Sequence, residues 1–188
     1  MRLTGGEGRG RRLRGPGREG VRPTTDRVRE ALFDVLGARV RDAAFLDAYA
    51  GTGAVGIEAL SRGASRVVFL ERNPRLLRLI GLNLEVGAWA GTCEIIPGDV
   101  VGSLERLAER PGRMDIVFLD PPYEEPPGPD LLAAAARLLR PSGLLVVEHR
   151  SSRPAGIPDD GCLRPVRTYR HGDTSLTTFA PGAGGTAR

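Results

Sequence analysis

The chain has 188 residues, 40% hydrophobic and 27% charged, with a net charge of +4 and a pI near 9.8. That is enough chain for one α/β domain with a full core and a small extension. No apolar run approaches the ~18 residues of a membrane span, and no leader-like apolar core follows the N-terminus. Cys93 and Cys162 with His149 and His171 form no zinc or disulfide spacing, so a cytoplasmic protein without membrane or metal partner is expected.

All 27 basic residues are arginine, and they are unevenly placed. Nine arginines against four acids give residues 1–30 a net charge of +5, leaving the remainder close to neutral. A localised basic arm is the footprint of a polyanion partner. Residues 1–22 hold too few apolar side chains for a core of their own; as short strands or a hairpin they would present Arg9, Arg11, Arg12, Arg14 and Arg22 to phosphate. After Pro23, Thr24 or Thr25 caps a helix, with Asp26 at the positive end of its dipole. Val28, Ala31, Leu32, Val35 and Leu36 form its apolar face, and Gly37 is its stop.

From Ala43 to Arg62 a short apolar run meets Asp47 and the glycines Gly51, Gly53 and Gly56, after which the apolar period turns helical. Such a corner is a ligand site, where glycine permits tight turns and close approach and the next helix offers free N–H groups. Gly51-x-Gly53-x-x-Gly56 also satisfies the dinucleotide fingerprint, with Glu71 where a ribose-binding acid would stand. Strands are expected near 44–48, 66–71, 92–96, 115–119 and 143–148, and helices near 54–62, 74–86, 100–109 and 130–139. The stripe Leu76, Leu77, Ile80 and Leu84 reads as core. Two strand-like runs around His171-Gly172-Asp173 predict a terminal antiparallel hairpin. The fold class is therefore α/β, a Rossmann-like, mostly parallel sheet with that C-terminal hairpin and a basic N-terminal extension. Its divisions are an arm and helix over 1–37, a catalytic domain over 38–181 and a disordered tail over 182–188.

In an open sheet of this kind the ligand lies beyond the carboxyl ends of the strands. Asp47, Glu71, Asp99 and Asp120 all fall at such ends. Four acids on one rim suit a pyrophosphate poorly and suit S-adenosylmethionine well, with its sulfonium, ammonium, ribose diol and adenine amine. After the fourth strand comes Asp120-Pro121-Pro122-Tyr123. Two prolines remove backbone donors and stiffen the turn, so the Asp120 carboxylate and the Pro121 carbonyl would accept from an exocyclic amine while Tyr123 stacks on its base.

This tetrapeptide resembles the motif of amino-directed class I methyltransferases, and Asp47-Ala-Tyr-Ala-Gly51-Thr-Gly53 resembles their cofactor loop. More closely, Gly10-Arg11-Arg12-Leu13, the block Arg22-Pro-Thr-Thr-Asp-Arg-Val-Arg-Glu-Ala-Leu-Phe33 and the block Gly56-Ile-Glu-Ala-Leu-Ser-Arg-Gly-Ala64 resemble the bacterial 16S ribosomal RNA guanine-N2 methyltransferase family of the small subunit. The likeness runs from Arg2 to the turn at Thr174. It implies methyl transfer from S-adenosylmethionine to N2 of one guanine, in 16S rRNA of the small subunit or its assembly intermediate, by a monomer. It also implies that Asp47, Gly51 and Gly53 border the methionine part, Glu71 holds the ribose, Asp99 lies near the adenine, and Asp120, Pro121 and Tyr123 hold the base. The residues leave open adenine-N6 methylation of DNA or RNA, a nicotinamide oxidoreductase, and a non-catalytic RNA-binding assembly factor.

Overall fold

The computed structural model describes residues 1–17, 26–87, 89–109, 113–122, 127–156 and 158–183. The chain forms two compact units, Met1–Val100 and Val101–Arg188. The first holds a hairpin over residues 1–13, helix α1 (Asp26–Leu36), strand β1 (Ala44–Ala48), helix α2 (Ala54–Ser61), β2 (Arg66–Glu71), α3 (Pro74–Leu84) and β3 (Cys93–Pro97). Helix α4 (Val100–Ala108) opens the second, followed by β4 (Met114–Leu119), α5 (Pro129–Leu138), β5 (Leu139–Arg150), β6 (Leu163–His171) and β7 (Thr174–Pro181). No helix among the described residues is long and apolar enough to cross a membrane.

In the first unit β2 lies between β1 and β3, parallel to both. In the second, β4 and β5 are parallel, and β7 inserts antiparallel between β5 and β6. The expected pattern, mostly parallel with an antiparallel C-terminal hairpin, is borne out. β5 starts earlier than its apolar run, because Leu139 already pairs with Met114 before the ladder shifts register ahead of Ile116↔Leu144.

Two buried faces differ from the apolar stripes. α1 buries Arg29 and Phe33 beside Val28, Leu32 and Leu36, while Ala31 and Val35 are half-buried. α3 buries Asn83 with Leu76, Ile80 and Leu84, while Leu77 is half-buried. The caps expected at Thr24 and Thr25 lie outside the described residues. α1 ends at Leu36, and Gly37 follows with φ +53°, as a helix stop requires.

α2 lies close against β2. A Cβ at Gly56 would stand 2.2 Å from Cε1 of Phe69 and 2.9 Å from Cγ1 of Val67, both on the strand beneath. The third glycine of the fingerprint thus serves helix–strand packing. Gly56→Ala should lower stability by about 1–3 kcal/mol through overpacking, read as an earlier denaturant midpoint at unchanged m value; an unchanged midpoint would contradict this packing.

Candidate active site

The corner after β1 is wound through three left-handed residues, Tyr49 (φ 66°), Gly51 (φ 57°) and Gly53 (φ 76°). Tyr49 is the notable one, since a bulky side chain rarely adopts that backbone. Asp47 and Glu71 hold the turn. Asp47 is 1% exposed, and its Oδ2 accepts from Gly56 N at 2.8 Å. Gly53, the N-cap of α2, has no side chain to cap with, so a carboxylate from the neighbouring strand takes that role and meets the positive end of the helix. Glu71, 8% exposed, accepts from Gly51 N through Oε2 and from Asn73 N through Oε1, each at 2.8 Å. Each oxygen keeps a lone pair for a further donor.

β3 joins the same corner. Gly98 N donates to the Glu71 carbonyl at 3.1 Å, which brings the loop carrying exposed Asp99 to the end of β2. Asp47, Gly51, Gly53, Glu71 and Asp99 are therefore gathered at the carboxyl ends of three adjacent strands in one unit.

The basic arm is an antiparallel hairpin docked onto this unit. Arg2 and Arg12 form the bridge, Leu3 and Leu13 are buried, and Arg9, Arg11, Arg12 and Arg14 are exposed. Arg22 lies outside the described residues. Glu58 on α2, fully buried, accepts from Thr4 N, Thr4 Oγ1 and Gly5 N, and pairs with Arg29 Nε at 3.3 Å and Arg62 Nε at 2.9 Å. Arg29 also donates to the Arg2 carbonyl. Asn83 joins the hairpin to the glycine turn: its Oδ1 accepts from Arg14 N, and its Nδ2 donates to the carbonyls of Arg14 and Thr52. Glu58, Arg29 and Asn83 escaped the sequence reading because a polar residue inside a helix carries no mark of burial; their signal was a break in the apolar stripe.

In the second unit Asp120, half-buried, directly follows β4, and Pro121 is buried behind it. Tyr123 lies outside the described residues. The register Leu119↔Val147 puts Glu148, 3% exposed on β5, one step further along the neighbouring strand and level with Asp120. The rule that found the other strand-end acids applied equally to Glu148, which closes the run Leu144-Leu-Val-Val-Glu148. His149 is a clasp: Nδ1 donates to the Arg150 carbonyl and Nε2 accepts from Thr177 Oγ1, each at 2.8 Å. Neither thiol is prepared for attack. Burial pushes Cys93 up, and burial with the adjacent Asp160 pushes Cys162 up to about 11.

The corner of the first unit fits S-adenosylmethionine. A Cβ on Gly51 would meet nothing nearer than the Tyr49 carbonyl at 3.9 Å, so the turn borders open space that a side chain would fill. Glu71, bonded to Gly51 N and Asn73 N, borders the same turn, and its remaining lone pairs suit hydroxyl and amine donors. Strand pattern and corner together fit a Rossmann-like class I methyltransferase, the class to which similar proteins of known name assign the chain. Ribosomal RNA small subunit methyltransferase D of Escherichia coli K12 is 38% identical over 148 residues, 79% of this chain and 71% of that protein. The chain belongs to the family described as Conserved hypothetical protein 95, whose model matches residues 1–180. Ribosomal RNA small subunit methyltransferase D of Haemophilus influenzae is 34% identical over 175 residues, 89% of this chain and 88% of that protein. The solved yhhF chain of Escherichia coli superposes with a TM-score of 0.81 at 31% identity, covering 97% of this chain and 98% of that one.

Proposed function

We propose that this protein transfers a methyl group from S-adenosylmethionine to the exocyclic N2 of a guanine in 16S rRNA, on the small ribosomal subunit or its assembly intermediate. The observation that carries the reading is the Asp120-Pro121 exit from β4, a half-buried carboxylate backed by a buried proline immediately after a buried strand. The names of the small-subunit relatives favour rRNA as the nucleic acid.

When bound, S-adenosylmethionine supplies a methyl carbon made electrophilic by its sulfonium. Glu71 would hold the ribose hydroxyls through its remaining lone pairs, while Asp47, Gly51 and Gly53 border the methionine part and Asp99 the adenine. The guanine amine is a weak nucleophile because its lone pair is delocalised into the ring. Hydrogen bonds from its N–H groups to the Asp120 carboxylate and the Pro121 carbonyl orient that lone pair, and Tyr123 stacks on the extruded base. Transfer to the amine would break the donor's methyl C–S bond, release S-adenosylhomocysteine as the neutral thioether and leave the amine cationic, a charge that the Asp120 carboxylate would stabilise before accepting the proton. No covalent bond to the protein is needed. Residues 1–37 serve RNA contact, and residues 38–181 the chemistry.

The deciding experiment maps modified nucleotides in 16S rRNA from a strain lacking the protein. One N2-methylguanine should disappear and return on complementation; an unchanged map, or loss of an N6-methyladenine instead, would overturn the reading. Arg12 and Arg14 on the hairpin should each contact phosphate. Alanine at both is expected to lower the slope of log affinity against log salt by about 1.4–1.8, with S-adenosylmethionine affinity unchanged. An unaltered slope in filter-binding titrations would remove the hairpin from the RNA interface.

A further inference from the structure

β6 borders only β7, and its other edge is open among the described residues. Arg164, Pro165, Val166, Arg167 and Thr168 are exposed, and the strand contains no acid. Strict alternation would send Arg164 and Arg167 to opposite faces, because they stand three positions apart. The ladder prevents this. Pro165 pairs with Phe179 and Arg167 with Thr178, the next residue of β7, so Val166 is an extra residue in β6.

The bulge resets the phase, and Arg164, Arg167, Tyr169 and His171 come to lie on one face. The Arg167 guanidinium stands 5.0 Å from the Tyr169 ring centroid, a contact possible only if both project from that side. Pairing extends the face inward. Tyr169 is opposite Leu176, which is opposite Glu148, and His171 is opposite Thr174, which is opposite Arg150. The face with the arginines is therefore the face with Glu148, the acid level with Asp120. Three strand spacings of about 4.8 Å each separate β6 from β4, roughly 14 Å. Charge and a bulge also protect an open strand edge from pairing with other chains. Protection works with arginines in either phase and requires neither an aromatic ring nor a histidine beside them.

We propose that this face of β6, ending at Arg150, is a second RNA surface, gripping the ribose–phosphate of the strand that flanks the target guanine. The proposal rests on the rRNA methyltransferase reading. Arg164 and Arg167 meet phosphates, and Tyr169 offers a ring on which a neighbouring base stacks.

The test uses full-length R164A/R167A and Y169A proteins, with S-adenosylmethionine affinity and thermal midpoint as controls. Substrates are small subunits from a strain lacking the enzyme and protein-free 16S rRNA. The double variant should bind both RNAs at least roughly tenfold more weakly at low salt, with a salt slope lower by about 1.4–1.8. Y169A should weaken binding roughly ten- to hundredfold with the slope intact. Wild-type methylation matched by R164A/R167A at the same slope would overturn the surface alone. No methyl transfer by the wild type would overturn the enzymatic reading and this one with it. Weaker binding to whole subunits but not to free rRNA would assign the edge to a ribosomal protein and likewise overturn the proposal.

Discussion

Glu58→Ala is expected to destabilise the protein by about 3–5 kcal/mol, the cost of removing one partner from a buried ion pair. Arg29 is 0% exposed, and its other acidic partner, Asp26 at 3.1 Å, is itself half in solvent and correspondingly screened. The same carboxylate holds Thr4 and Gly5, so the substitution also unlatches the hairpin from α2. At about 2–4 °C per kcal/mol for a chain of this size, the melting temperature should fall by roughly 6–20 °C. Exchange of the Thr4 and Gly5 amides should accelerate before the rest of the unit opens. Glu58→Gln, which keeps shape and one acceptor, should lie between. A midpoint for the alanine variant within about 1 °C of wild type would show that the cluster contributes little.

Asp120→Ala is expected to reduce kcat by about 10²–10⁴-fold, the range for removing a positioned proton acceptor. The proposed donor corner, built of Asp47, Glu71 and the glycine turn, lies in the first unit, so S-adenosylmethionine affinity should stay within about twofold of wild type. RNA affinity should also persist, since the contacts proposed for the hairpin and β6 are untouched. Asp120→Asn retains a carbonyl acceptor but no charge, and should fall between wild type and alanine. The split between kcat and binding separates a group that touches the reacting amine from one that merely supports the loop. A loss confined to RNA affinity, with kcat at saturating RNA unchanged, would remove Asp120 from the chemistry.

Much of this molecule was legible along the chain because its signals are local. The change from strand to helix period at Gly53, the acids at strand ends and the turn at Gly172 each depend on a few consecutive residues, and the strands, helices and terminal hairpin follow them closely. The glycine fingerprint was ambiguous for the same reason. Nucleotide and methyl-donor corners make the same turn, and membership of the family set the nicotinamide reading aside.

What the amino-acid order determined alone was the mostly parallel α/β class, the glycine corner at Asp47 to Gly56 and the place of Asp120-Pro121-Pro122 directly after β4. Tertiary structure decided which polar groups are interior. Arg29, Glu58 and Asn83 look like solvated positions until hairpin, helix and glycine turn converge from distant parts of the chain to supply their partners. It also decided the phase of β6, because one unpaired residue, Val166, moves Arg167 to the other side of the sheet, and only the partner strand reveals that shift.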